Sequence, residues 1–300
     1  MGFGGMEDRD AYGRWRDAKL AAYGGGPYFP VVELADTAHP SAAETDKMAE
    51  LLRRFNMAMY VGVPTPLEKA KTDLLSFSRH MGLTHLDANL CADEDAITPL
   101  AVSEGVRRRR YIPYSNRKIS WHTDGYYNTP ARQIRAMTLH CVSPAASGGD
   151  NQLMDPEIAY ILLREENPDY VRALMHAEAM TIPPNDEGAM EGGGGLIRPA
   201  RSGPVFSFDP ANGALHMRYT ARSRSIEWRN DRATATAVAF LGDILSKPSP
   251  YIFSHRMEAG HGVICNNVLH NRSAFEDTDS SHRMVLRGRY YDRIAATAEN

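Results

Sequence analysis

Three hundred residues, 43% of them hydrophobic, can bury a sizeable core as one large domain or two small ones. A formal charge of −3 supplies no overall basic field, so nucleic acid is not an expected partner. Three widely spaced cysteines (Cys91, Cys141 and Cys265) argue against a disulfide framework and a zinc knuckle, and no run approaches the ~18 apolar residues of a membrane span. Met1–Asp10 carries glycine and acid where a signal peptide needs a basic and then an apolar run, which reads as a cytoplasmic protein.

Residues 1 to 40, rich in Gly, Tyr and Pro, read as an extension that packs on the domain or as an arm reaching a neighbouring subunit in a homo-oligomer. Ser41 and Glu44 then form a capping-box pattern opening a helix with Met48, Leu51, Leu52 and Phe55 at helical spacing. Met57–Val63 is an apolar strand, and Leu67–Met81 a second amphipathic helix with Ala70, Leu74, Leu75 and Phe77 inward. Arg107–Arg110 is a basic run, read first as a solvated loop.

From Ile97 onward, short apolar runs alternate with Gly, Pro, Asn and Ser, as in a β-rich core. Strands are expected at Ile119–Thr123, Arg135–Val142, Gln152–Asp155, Val205–Asp209, Leu215–Tyr219, Gly262–Asn266 and Arg283–Tyr291, with helical insertions at Pro156–Glu166 and Arg232–Leu245. The fold class is therefore mainly β with helical insertions, a sandwich or barrel flanked by helices, in one domain over residues 41–300. Gly188–Gly195, five glycines in eight residues, reads as a loop that could serve as a lid.

Trp121-His122-Thr123-Asp124-Gly125 carries the chemistry. On a strand, His122 and Asp124 point to one face, and an imidazole with a carboxylate makes two-thirds of a facial iron site. The missing ligand is a histidine, for which His255, His261, His270 and His282 are the C-terminal candidates. In Arg283–Tyr291, alternation puts Arg283, Arg287 and Arg289 on one face, and buried arginines need anions. Ser147-Gly148-Gly149-Asp150-Asn151 is a glycine turn opening a strand.

The order His-Thr-Asp-Gly, Ser-Gly-Gly-Asp, Leu-His-Asn-Arg-Ser-Ala-Phe and Arg-Met-Val-Leu-Arg resembles the Fe(II)- and 2-oxoglutarate-dependent dioxygenases of the taurine dioxygenase group, over roughly residues 45 to 293. That resemblance implies a double-stranded β-helix (jelly-roll) core. It implies iron held by His122, Asp124 and His270, with 2-oxoglutarate and O2 as co-substrates. It also implies Arg283 on the distal carboxylate of 2-oxoglutarate and Arg287 toward the substrate. Asn151 stands where related enzymes often carry a threonine that bonds 2-oxoglutarate.

Tyr126, Tyr127 and Asn128 follow the iron motif and are candidate pocket residues. Two tyrosines suit a cationic ammonium group, whereas Tyr219 with Arg218, Arg222 and Arg224 suits an acidic one. The expected activity is hydroxylation of a small polar metabolite, anionic or like an amino acid or betaine. The competing readings are a metal-dependent hydrolase on the same barrel and a non-catalytic binding scaffold.

Overall fold

The computed structural model describes residues 8–24, 29–87, 97–102, 112–185, 198–222 and 226–294. Cys91, Arg107–Arg110, Gly188–Gly195 and Arg224 lie outside them. The chain begins with helix α1 (Arg9–Ala22), strand β1 (Val31–Glu33), α2 (Ala42–Phe55), β2 (Met57–Val61), α3 (Leu67–His80) and β3 (Thr98–Leu100). Then come β4 (Ile119–His122), β5 (Ala136–Ser143), β6 (Ser147–Gly148), β7 (Asn151–Met154), α4 (Pro156–Glu166) and α5 (Pro168–Leu174). Short strands β8 (Met180–Ile182), β9 (Arg201–Gly203), β10 (Phe206–Phe208), β11 (Leu215–Met217) and β12 (Glu227–Trp228) lead into α6 (Arg232–Ser246). The chain closes with β13 (Phe253–His255), β14 (His261–Cys265), β15 (Leu269–Arg272), β16 (Phe275–Glu276) and β17 (Met284–Tyr290).

Two sheets dominate. The larger runs β1-β2-β14-β5-β17-β3, the smaller β13-β7-β15-β4. Within the larger sheet β1 and β2 pair in parallel, and the other neighbours are antiparallel. Six successive residues of β5, Ala136–Cys141, are all buried, as expected of a strand covered on both faces. Helix α3 covers one face, where Phe77 packs on Tyr60 with ring centroids 5.0 Å apart. The opposite face looks toward the smaller sheet: Leu139, Val285 and Arg287 line one cavity together with Ile119, His122, Asn151 and His270.

Local signals account for the helix ends. Ser41 and Glu44 form the reciprocal capping box, and Asn56 closes α2 in the left-handed region at φ 57°. Asp155, Asn167 and Asp231 cap α4, α5 and α6. No helix among the described residues is long and apolar enough to cross a membrane.

Helix α1 and its anchoring were not apparent in the sequence. The buried Lys19 ammonium lies 2.7 Å from Asp155 Oδ2 and 2.6 Å from Glu157 Oε2, and donates to the Arg54 carbonyl at 2.9 Å. Asp155 also accepts from Asn56 Nδ2 at 3.0 Å. A buried ammonium needs such a full set of acceptors, and its removal strands the carboxylates it serves. Lys19→Met is expected to cost about 3–5 kcal/mol of stability, read by chemical denaturation. A loss below about 1 kcal/mol, the range of an exposed ion pair, would show that the contact does not anchor α1.

Candidate metal centre

Strands β15 and β4 run antiparallel with His270 directly opposite His122, so both imidazoles project into the space between the sheets. Their rings lie 4.2 Å apart at 50°. Each ring's Nδ1 lies 2.9 Å from the carbonyl two residues earlier, Ser120 for His122 and Val268 for His270. A carbonyl can only accept, so Nδ1 carries the proton and Nε2 presents its lone pair to the cavity. This is the tautomer a metal requires.

Asp124 is not on the strand. β4 ends at His122, and Asp124 opens a turn aimed by Asn267 rather than by strand alternation. Asn267, itself left-handed at φ 51°, accepts from the Asp124 amide at 2.8 Å. It donates to the carbonyls of Asp124 and Ile134 at 2.9 and 2.7 Å. On the other side Thr123 is tied to Tyr219 by two hydrogen bonds. One donor atom each from His122, Asp124 and His270 then lies within 4.8 Å of the others.

The electrostatics suit a cation. Burial, reinforced by His270, holds the His122 imidazole down to about 3, and burial also lowers His270. Both rings are therefore neutral ligands at ordinary pH. Burial alone would raise the Asp124 carboxyl, but Arg287 and then Arg289 hold it well below the usual carboxylate range. Asp124 Oδ2 is buried with no hydrogen-bond partner. An orphaned anionic oxygen facing two imidazole lone pairs fits a divalent metal ion, and the donor set is the 2-His-1-carboxylate one.

The cavity beside the three donors has a volume of about 430 Å³ including its open mouth. Arg283 stands in its wall, 5% exposed, with Nη1 buried and unpartnered and the guanidinium over the Phe275 ring at 5.2 Å. The glycine turn runs beside it. Gly148 and Gly149 both have φ near +70 to +80°, which favours glycine; a Cβ on Gly148 would also meet the Ala274 carbonyl at 2.3 Å, whereas one on Gly149 would lie at ordinary contact distance, 3.4 Å, from Arg283 Nε. Asn151 lines the cavity and donates to the Gly149 carbonyl at 3.2 Å.

Other sequence candidates fall in different places. Arg287 lines the cavity, and its Nη1 donates to Asp124 Oδ1 at 3.2 Å. Tyr126 and Tyr127 are half-buried, edge to face at 5.2 Å, and Tyr126 stands edge-on to His122 at 6.5 Å. Asn128 is a turn residue, donating to the Arg132 carbonyl at 2.9 Å. Tyr219 is buried against Trp228 rather than in the cavity wall. His255 and His261 stack on each other, 5.3 Å apart, and neither belongs to the donor cluster.

Two residues had not been singled out from the sequence: Asn267 orients Asp124, and Arg272 joins Arg283 in the cavity wall. Arg289, expected on the face shared with Arg283 and Arg287, bonds Tyr127 and the buried Asp87. The only local signals were an Asn-Asn pair between an apolar strand and a histidine, and an arginine two places beyond that histidine.

The model of the taurine catabolism dioxygenase TauD, TfdA family matches residues 19–290. The chain belongs to that family. Among curated proteins of known activity, it is 30% identical over 187 residues to a uridine-5'-phosphate dioxygenase from an Amycolatopsis species. A second uridine-5'-phosphate dioxygenase, from a Streptomyces species, is 27% identical over 209 residues. These matches cover 59% and 66% of this chain and span 62% and 70% of the relatives. An asparagine oxygenase solved with Fe(II), 3-hydroxyasparagine and succinate shares the fold, with a TM-score of 0.56 and 16% identity over 96% of this chain and 86% of that one.

Arg287 lies 3.2 Å from the Asp124 carboxylate and also lowers both imidazoles, and all three donors must be free of their protons to bind a metal. Arg287→Met is expected to move the acid limb of Fe(II) binding up by about one pH unit, the low end of the effect of an opposite charge at this distance. Anaerobic titrations across pH 4 to 7 measure this. An unshifted limb would mean that Arg287 does not govern the protonation of the donor set.

Proposed function

We propose that this protein is an Fe(II)- and 2-oxoglutarate-dependent oxygenase that oxidises a small, polar, anionic metabolite. The observation that carries the reading is the convergence of three metal-type donors within 4.8 Å, two of them lining a cavity whose wall also holds the buried Arg283, its Nη1 without a partner among the described residues. In this reading the six- and four-stranded sheets are the two sheets of a double-stranded β-helix, and residues 41–300 form the catalytic domain.

His122, Asp124 and His270 would hold the iron, and Arg283 would take the distal carboxylate of 2-oxoglutarate, a job suited to a planar bidentate donor. When bound, the two supply O2 activation coupled to decarboxylation, releasing succinate and CO2. The chain's own work is to keep both imidazoles neutral, Asp124 ionised and the co-substrate oriented. Leu139 and Val285 keep water from the inner wall, which protects a reactive site. Asn151 stands in that wall but spends an amide proton on Gly149, so it reaches 2-oxoglutarate only with its remaining groups.

Charge around the tyrosine pair argues for the substrate class. Arg222 Nη1 lies 3.4 Å from the Tyr126 hydroxyl, and Arg289 donates to the Tyr127 hydroxyl at 2.8 Å. Arg198 is also close enough to feel both tyrosines. A ring of guanidiniums repels an ammonium and attracts an anion. The named activity of the two relatives makes a nucleoside 5'-phosphate the first class to try.

The test is an anaerobic optical titration of metal-free protein with Fe(II), then 2-oxoglutarate, followed by succinate release with uridine-5'-phosphate, amino acids and betaines. A visible charge-transfer band is expected, lost in His122→Ala. Arg283→Met should need roughly 10 to 100 times more 2-oxoglutarate, the worth of one charged hydrogen bond. Fe(II) binding without any band would sink the co-substrate assignment.

A further inference from the structure

Arg272 and Arg283 form a buried pair of cations with no counter-ion among the described residues. Both line the cavity, at 4% and 5% exposure. Arg272 donates through Nη2 to two neutral groups, the carbonyls of Ser115 (2.7 Å) and Arg117, while its Nε is buried without a partner. Neither guanidinium makes an ion pair with a carboxylate among the described residues; Asp277 is spent on the Arg283 main-chain amide at 2.9 Å. Both sit over the same ring, Phe275, at 4.7 and 5.2 Å. An aromatic face steadies a cation but does not neutralise it. At the other side of the cavity Arg287 already has Asp124.

Two uncompensated buried charges at one end of a cavity are too costly to persist without an anion to share. A carboxylate has about four lone-pair sites, so one accepting a bidentate pair from an arginine can still face a second donor. We propose that Arg272 is a second charge-bearing residue of the 2-oxoglutarate site, sharing the distal carboxylate with Arg283 and rejecting 2-oxo acids that lack it. This rests on the oxygenase reading above. Arg272 here is a positioning and specificity residue of the co-substrate end, and its carbonyl contacts hold it in place.

The experiment is calorimetric binding of 2-oxoglutarate and of 2-oxobutanoate to the anaerobic Fe(II)-loaded protein. 2-Oxobutanoate keeps the chelating head and lacks the distal carboxylate. Arg272→Gln, which retains amide donors for the Ser115 and Arg117 carbonyls, is expected to weaken 2-oxoglutarate about tenfold or more while leaving 2-oxobutanoate within about twofold. Arg272→Lys keeps the charge and should retain most of the preference. Thermal unfolding without ligand checks that the variants are folded; if the glutamine variant is not, lost discrimination in the lysine variant overturns the proposal and retained discrimination supports it. Equal weakening of both acids by Arg272→Gln, or of neither, also overturns it. If the unsubstituted protein binds both acids equally, this proposal is overturned while the oxygenase reading stands; if it binds neither, the oxygenase reading itself fails and this proposal falls with it.

Discussion

The register between β15 and β4 is the constraint on which the rest of the site depends. Strand alternation turns a one-residue slip into a reversal of face, and with His270 opposite His122 a slip in either strand would send one imidazole out of the cavity. Two neighbours oppose such a slip. β7 holds β15 from the other side through four successive pairs, Leu269 with Met154 to Arg272 with Asn151. Asn267, two residues before the strand, is locked by two hydrogen bonds to Asp124 and one to the Ile134 carbonyl. The same few residues thus set all three donors at once.

Charge is distributed with equal economy. Of the three arginines projecting from the Arg283–Arg289 segment, Arg287 faces Asp124, Arg289 is bonded to Asp87 and Tyr127, and Arg283 has no acid partner. Alternation explains why they share a face, but their partners differ because each meets a different loop. The unpaired one shares the Phe275 ring with Arg272, so two cations meet in the cavity wall that His122 and His270 also line.

The polar knot under α1 shows the same physics used for structure. Lys19, Asp155 and Asn56 are as deeply buried as the site residues, yet the Lys19 ammonium is met by three acceptors, from Asp155, the half-buried Glu157 and the Arg54 carbonyl. Burial with complete partners holds an element in place; burial with orphaned atoms marks a place for a ligand. That difference separates the two clusters.

Much of the site was legible in the chain because it depends on short-range spacing. The His-Thr-Asp spacing, the histidine after Val268-Leu269, the alternating arginines and the glycine pair before Asp150 are all patterns within a few residues of chain. Helices α2, α3, α4 and α6 were legible for the same reason, their apolar periodicity, joined in α2 by the capping box, lying within one segment. Tertiary structure alone decided the rest. Asp124 is aimed by a residue 143 positions away, Arg272 gains its meaning only beside Arg283 and Phe275, and α1 is fixed by acids 136 and 138 positions on. Burial and the absence of a partner are properties of a packed interior, and no spacing along the chain encodes them.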